Sequence, residues 1–267
     1  MRILHLSDTH LDRSGAPNAF GVDATQSLRG LLADLRHVRD VDAIVISGDI
    51  ADDGSPEAYI AVRDLVREFA LERDAPVIYS TGNHDERGAF THILGSGHLT
   101  PTGTDRAEAV VTSPVAERAA VSLIDGYRFI TLDVFHHPPI TLDTELQNAL
   151  GLQNPSDLAD AIRGTDVQLI LCGHFHLQIF GYLGSAAVWV TPGVVNRIDL
   201  TGPARTERAV RGASATLVRL GTPQSPLFHT PHARDPRVGE TVYELDEHQL
   251  DAVVKRLGPT RRRSTAE

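Results

Sequence analysis

Apolar residues fall into short runs along this chain, and each run stops at a polar corner. Run 3–6 leads into Ser7-Asp8-Thr9-His10, run 43–46 into Ser47-Gly48-Asp49, and run 77–79 into Thr81-Gly82-Asn83-His84-Asp85. Run 129–132 passes through Asp133 to His136-His137-Pro138-Pro139. Run 167–171 ends at Cys172-Gly173-His174-Phe175-His176, and run 187–190 at Thr191-Pro192-Gly193. Short continuous runs rich in Val and Ile predict strands buried on both faces.

Helical spacing fills several gaps between the runs. Leu28, Leu31, Leu32, Leu35 and Val38 share one helix face. Ser55-Pro56-Glu57 supplies an N-cap, a proline at the first helical position and an early acid, and Tyr59, Val62, Val66 and Phe69 give that helix its apolar side. Ser156 is placed to cap a shorter helix carrying Leu158 and Ile162. Residues 202–239 read as loops with one strand at 215–220. A strand follows at 241–245, and then a helix capped by Asp246, with Leu250, Val253, Val254 and Leu257 on one face and Gly258-Pro259 as its stop. Strands alternating with helices predict a layered α/β architecture. The expected organisation is a main domain over 1–220, an extension over 221–258 packing on it, and an unstructured tail over 259–267 whose arginines are solvated.

Composition narrows the class. The chain has 267 residues, 41% of them hydrophobic and 22% charged, which suits one folded domain of ordinary composition. A net charge of -10 argues against stable nucleic-acid binding through a basic face. Cys172 is the single cysteine, so no disulfide forms within the chain. There is no apolar run long enough for a membrane span, and the N-terminal apolar stretch is too short for a signal peptide, so a cytoplasmic location is expected.

The polar corners all follow predicted strands. In α/β sheets the loops at the carboxyl ends of strands converge on the functional crevice. Asp8, His10, Asp49, Asn83, His84, His136, His174 and His176 are therefore brought together in expectation, although they are far apart in sequence. Imidazoles, carboxylates and one amide oxygen suit divalent or trivalent transition metals. In Asp8-Thr9-His10 and His174-Phe175-His176 the i, i+2 spacing points both side chains of each pair the same way in extended chain. Gly48, Gly82 and Gly173 permit close backbone approach where strands end. Each fragment alone is ordinary turn chemistry; five in one order, each after a strand, are not. His5 reads as a packed residue of the first strand, Cys172 as a small hydrophobe and Trp189 as core. His37, His92, His98, His229, His232 and His248 lack partner spacing and are assigned to surfaces or loops.

These blocks, Asp8-Thr9-His10, Gly48-Asp49, Gly82-Asn83-His84-Asp85, a lone histidine and Gly173-His174-Phe175-His176, resemble the calcineurin-like metallophosphoesterases. The segment Asp53-Gly54-Ser55-Pro56-Glu57-Ala58-Tyr59, together with His136-His137-Pro138-Pro139, looks like the class III cyclic nucleotide phosphodiesterase branch, over roughly residues 1–199. The resemblance implies a two-sheet αββα sandwich with a dinuclear metal site at strand ends. It implies a first metal held by Asp8, His10, Asp49 and His176, and a second by Asn83, His136, His174 and the bridging Asp49. Iron and manganese are the first expectation, with zinc or cobalt as alternatives. A pair of metals about 3.5–4 Å apart clamps a phosphoryl group and generates hydroxide near neutral pH. His84 matches the family's non-ligand histidine, which contacts the phosphate and protonates the leaving group; His84 and Asp49 are thus the expected catalytic residues.

One departure from the branch stands out. There, the strand resembling 127–133 is followed by a helical segment and another strand before His-His-Pro-Pro; here the chain runs almost directly to His136, and His137 is an alternative ligand. The implied activity is hydrolysis of 3′,5′-cyclic nucleotides. Alternatives are 2′,3′-cyclic nucleotides, glycerophosphodiesters or nucleic acid, a phosphomonoesterase, and a non-catalytic protein-binding scaffold. The sequence leaves the oligomeric state open, a homodimer included.

Overall fold

A computed structural model describes residues 1–113, 118–133 and 136–257. In chain order, β1 (Arg2–Leu6), α1 (Ala24–Asp34), β2 (Ala43–Ser47), α2 (Pro56–Leu71) and β3 (Val77–Ser80) form a β-α-β-α-β unit with all three strands parallel. After α3 (Arg87–Leu94), β4 (His98–Leu99) turns back antiparallel to β3. β5 (Ala109–Thr112), β6 (Arg118–Ile124) and β7 (Tyr127–Leu132) form an antiparallel three-stranded sheet. After α4 (Glu145–Leu150) and α5 (Pro155–Ile162), β8 (Leu169–Cys172), β9 (Ile179–Leu183) and β10 (Ala186–Val190) make a mixed three-stranded sheet in the order β8-β10-β9, with β10 parallel to β8 and antiparallel to β9. β11 (Arg197–Asp199) and β12 (Glu207–Val210) precede β13 (Thr216–Arg219) and β14 (Leu227–His229), which complete a six-stranded sheet ordered β14-β13-β1-β2-β3-β4. β15 (Thr241–Leu245) pairs with β12, and α6 (Glu247–Leu257) packs against α4. No helix of the described residues is long and apolar enough to cross a membrane.

The two-residue period of a strand sorts the core into layers. Leu4, Leu6, Ile44, Ile46, Val77 and Tyr79 face α1, α2 and α3 in one cluster. Their neighbours Ile3, Ala43, Val45 and Ile78 face the other way, onto Ile124, Tyr127, Phe129, Leu169 and Leu171 of β6, β7 and β8. β8 is itself two-faced, because Ile170 and Cys172 look outward onto a cluster that includes Leu150 of α4. The order is helix, sheet, sheet, helix, and the αββα sandwich is present. Each fully buried Leu or Ile in these layers contributes roughly 1.5–3 kcal/mol. The second layer is divided into two small sheets, because β7 runs almost directly toward His136 and does not pair with β8.

Local chemistry sets most of the element ends. Ser55 caps α2, its hydroxyl accepting from the Ala58 amide at 3.3 Å, and Pro56 takes the first helical position. Asp246 accepts from the Gln249 amide at 2.8 Å while Gln249 accepts from the Asp246 amide, so α6 starts on a reciprocal cap. The expected stop of that helix and the tail lie outside the described residues. α5 starts earlier than its sequence suggested: Asn154 is the N-cap residue and Pro155 opens the helix, which leaves Ser156 inside it. α1 ends at Asp34, so Leu35 and Val38 pack on the core from the turn beyond it. β7 alternates half-buried and exposed residues from Tyr127 to Thr131, with Arg128 and Ile130 on its exposed face.

His98 is the largest departure. The lack of partner spacing assigned it to a surface or loop, yet it is fully buried between the two sheets. Its Nδ1 lies 2.7 Å from Ser122 Oγ on β6 and its Nε2 3.0 Å from Thr131 Oγ1 on β7, so it rivets β4 to the second layer. Burial lowers its pKa from 6.5 to about 4. The unfolded chain therefore takes up a proton that the folded one refuses: stability from His98 is complete above pH 6.5 and is lost as the pH falls toward 4. Between those values, urea unfolding of the wild type should lose about 1.4 kcal/mol more per pH unit than that of His98→Gln. At pH 7 the variant should be less stable by about 1–3 kcal/mol. Parallel declines in the two proteins would refute this role.

Candidate metal centre

The site is built at the carboxyl edge of the central strands, from backbone that ordinary residues avoid. Among the described residues nine non-glycine residues have positive φ, and five of them are Asp8, His10, Asp49, His174 and His176. Left-handed backbone costs about 1–2 kcal/mol per residue, and strain of this kind gathers where geometry serves a task. The ladder between the first two strands continues past their ends and fixes these turns: the Asp8 amide donates to Gly48 O at 3.1 Å and the His10 amide to Asp49 O at 3.0 Å. The Asp85 carboxylate staples the next loop on, accepting from the Ile50, Ala51 and Gly82 amides at 3.2, 3.0 and 2.7 Å.

All eight residues singled out by the sequence meet here. Ligand atoms of Asp8, His10 and His176 lie within 4.8 Å of one another, as do those of Asp8, Asp49 and His136, and those of His136, His137 and His174. His176 Nε2 is 3.4 Å from Asp8, and His10 Nε2 is 3.7 Å from Asp49. His136 Nε2 sits 3.0 Å from Asn83 Oδ1 and 3.6 Å from Asp49, so it faces two of the three other members of the expected second set. The His137 ring lies 4.1 Å from that of His174, tilted by 58°. His84 sits at the rim: its ligand atom lies within 4.8 Å of those of His10 and Asp49, but 41% of its side chain is exposed and its Nδ1 turns to the Asp52 carbonyl at 3.1 Å.

These residues fit a metal. His10 Nε2, His136 Nδ1 and His174 Nε2 are buried polar atoms with no hydrogen-bond partner, and such atoms are rare unless something else satisfies them. The imidazoles are also oriented from behind. His10 Nδ1 is 2.9 Å from Asp52 Oδ1, and His176 Nδ1 is 2.6 Å from Asn196 Oδ1. Both oxygens accept, so each Nδ1 carries the proton and each Nε2 turns inward, as metal-binding histidines do. Asp52, Asn196 and the stapling Asp85 were not among the residues singled out. Asp52 follows Asp49 by one turn's length and was open to detection; nothing marked Asn196.

The electrostatics favour a cation. Burial works to raise the Asp8 pKa, but His176, His136 and His10 outweigh it and hold the carboxylate ionised. Burial works to lower His176, but Asp8, Asn196 and Asp49 push it up to about 9. His174 lies well below its ordinary value through burial first and the neighbouring imidazoles second. His84 is raised to about 9, mainly by its hydrogen bond to Asp52.

Several known proteins are similar to this chain. Residues 1–178 match the family model described as calcineurin-like phosphoesterase. A relative named probable cyclic nucleotide phosphodiesterase, from Rhodococcus erythropolis, is 30% identical over 245 residues, covering 79% of this chain and 76% of that protein. A cAMP/cGMP dual specificity phosphodiesterase of Mycobacterium tuberculosis is 32% identical over 247 residues, covering 79% and 73%. A 3′,5′-cyclic adenosine monophosphate phosphodiesterase of Pseudomonas aeruginosa is 26% identical over 208 residues, covering 71% and 75%.

Two outcomes are expected from the geometry. Manganese should raise the melting temperature of chelator-treated protein, and its apparent affinity should climb from pH 6 to pH 9. Below about 9 His176 holds a proton where a cation must bind, so the gain is up to about tenfold per pH unit for each proton expelled. Affinity that is flat in pH would exclude His176 as a ligand. Second, a Cβ at Gly82 would land on both the carboxylate and the backbone amide nitrogen of Asp49, and 2.9 Å from His136 Cε1. Gly82→Ala should therefore fold, at a cost of about 1–3 kcal/mol, and bind less metal by elemental analysis.

Proposed function

The chain belongs to the calcineurin-like phosphoesterase family and is a metal-dependent phosphodiester hydrolase, and from that premise we propose that it hydrolyses 3′,5′-cyclic nucleotides at a dinuclear centre. One observation carries the reading: two carboxylates, an amide oxygen and four imidazoles converge from five separate loops, with buried ring nitrogens left free. Asp8, His10 and His176 would hold one ion and Asn83, His136 and His174 the other, with Asp49 between them. A bound metal pair polarises the phosphoryl oxygens and lowers the pKa of water, so that hydroxide is available near neutral pH. Iron or manganese suits these donors, as do zinc and cobalt.

The chain's own groups do the rest. Asp52 holds His10 and His84 together; it is 2.9 Å from one Nδ1 and 3.3 Å from the other. With Nδ1 committed to Asp52, His84 has Nε2 left for the cavity that it lines with His10, Asp49 and His174. Raised to about 9, its imidazole is protonated at neutral pH and can give that proton to the departing alkoxide. The cavity, about 250 Å³, is of small-molecule scale.

The test combines metal analysis with turnover of cyclic AMP, bis(p-nitrophenyl) phosphate and p-nitrophenyl phosphate. Asp49→Ala should lose activity and most bound metal, whereas Asn83→Ala should mainly weaken one ion. Full metal and normal activity in Asp49→Ala would overturn the assignment. His84→Ala should keep its metal and lose turnover of cyclic AMP by a factor of about 10²–10⁴. The loss should be smaller on bis(p-nitrophenyl) phosphate, since p-nitrophenolate leaves without a proton. An equal loss on both would make His84 a phosphate-binding group instead, and loss of metal would make it a ligand.

A further inference from the structure

The cavity that opens on the metal centre has an aromatic wall that the chemistry above does not use. Phe20 and Tyr243 line it together with His84 and His176. Phe20 is 55% exposed. Its backbone is held by its neighbours. Asn18 Oδ1 accepts from the Phe20 amide at 3.0 Å and from the Val22 amide at 3.1 Å, and Gly21 folds back onto Asn18 O at 2.8 Å. Arg211 on the loop after β12 ties down the same turn, donating to Gly21 O at 2.7 Å.

Tyr243, from β15, backs the ring. The two centroids are 5.3 Å apart with planes tilted 47°, too close for a base to slip between them, so Tyr243 flanks the Phe20 ring and both rings border the cavity. Tyr243 is fixed in turn: its hydroxyl donates to buried Glu207 at 3.4 Å, and Gln147 Nε2 donates to the other oxygen of that carboxylate at 2.7 Å. A loop near the start of the chain and a strand near its end thus combine to hold one flat apolar face beside the phosphate-handling centre.

We propose that Phe20 is the platform on which the base of a nucleoside phosphate stacks, with Tyr243 and Asn18 as positioning residues. The proposal rests on the nucleotide reading above and deepens it by placing the recognition of the base. Stacking reads a π face rather than the edges of a base, so adenine and guanine should be held alike.

The experiment is titration calorimetry of manganese-loaded protein with AMP and with ribose 5-phosphate, which differ only in the base. Wild type should bind AMP about tenfold or more tighter than ribose 5-phosphate, in line with stacking on one aromatic ring. Phe20→Ala should bring the ratio near one, Phe20→Tyr should restore it, and Tyr243→Ala should fall between, because the platform loses its backing. The KM for cyclic AMP should rise by about the same factor in Phe20→Ala. Equal binding of the two ligands by wild type, or an unchanged ratio in Phe20→Ala, would overturn the platform. The two readings fail separately. If cyclic AMP is hydrolysed but the ratio ignores Phe20, the platform falls and the activity stands. If cyclic AMP is untouched while the ratio follows Phe20, the platform serves another nucleoside phosphate.

Discussion

Two carboxylates buried side by side at the end of a sheet set the terms for everything around them. Asp8 is wholly buried, Asp49 is nearly so, and their oxygens lie within 4.8 Å of each other in a shared cluster with His136. Removing an unpaired carboxylate from water costs several kcal/mol, and a second like charge nearby raises that cost. Such a pair persists only where positive charge answers it. Protonated His176 does so in part, and a divalent cation does so more fully, because it concentrates charge where both carboxylates point. The site therefore selects cations for the same reason that it is expensive to fold.

That cost explains how heavily the surrounding backbone is tied. Positive φ at Asp8, His10, Asp49, His174 and His176 aims successive side chains inward from very short loops. The amide of His174 donates to both Asp8 oxygens at 3.1 and 3.0 Å, and the His84 amide donates to Asp49 at 3.0 Å, so backbone dipoles share in solvating the anions. Asp85, Asp52 and Asn196 then hold the loops and rings from behind. These ties fix the candidate ligand atoms in advance, so little reorganisation would accompany binding of an ion.

What the sequence made legible follows from how local each cause is. The first three strands were visible because a strand covered on both faces writes a continuous apolar run, and α2 because its cap, proline and apolar stripe are all neighbours in sequence. The metal cluster was visible although its members are far apart, because each sits at the same structural address, the corner after a strand. Causes that join distant residues left no such trace. His98 lacks ligand spacing, and its role comes from Ser122 and Thr131 on other strands. Asn196 acts only because its loop folds back behind His176. The division of the second layer was hinted at by the short path from run 129–132 to His136, but which strands would fail to pair depends on three-dimensional packing.

The same distinction governs the charge of the molecule. A net charge of -10 repels phosphate esters at long range, yet the proposed chemistry needs one at the heart of the protein. Screening over about 8–10 Å in physiological salt makes the distant carboxylates nearly irrelevant there, so what a substrate meets is set within the cavity itself. On that scale Asp8 and Asp49 are faced by His10, His136, His174 and His176, with His84 held cationic at the rim. Binding of an anionic ester must then depend on the ions the cluster holds more than on the surface. An acidic exterior with an ion-dependent interior favours compact ligands that can enter and be enclosed, and disfavours long polyanions that must also lie along the outside. The cavity's size and the overall charge thus both favour a compact ligand over a long polyanion.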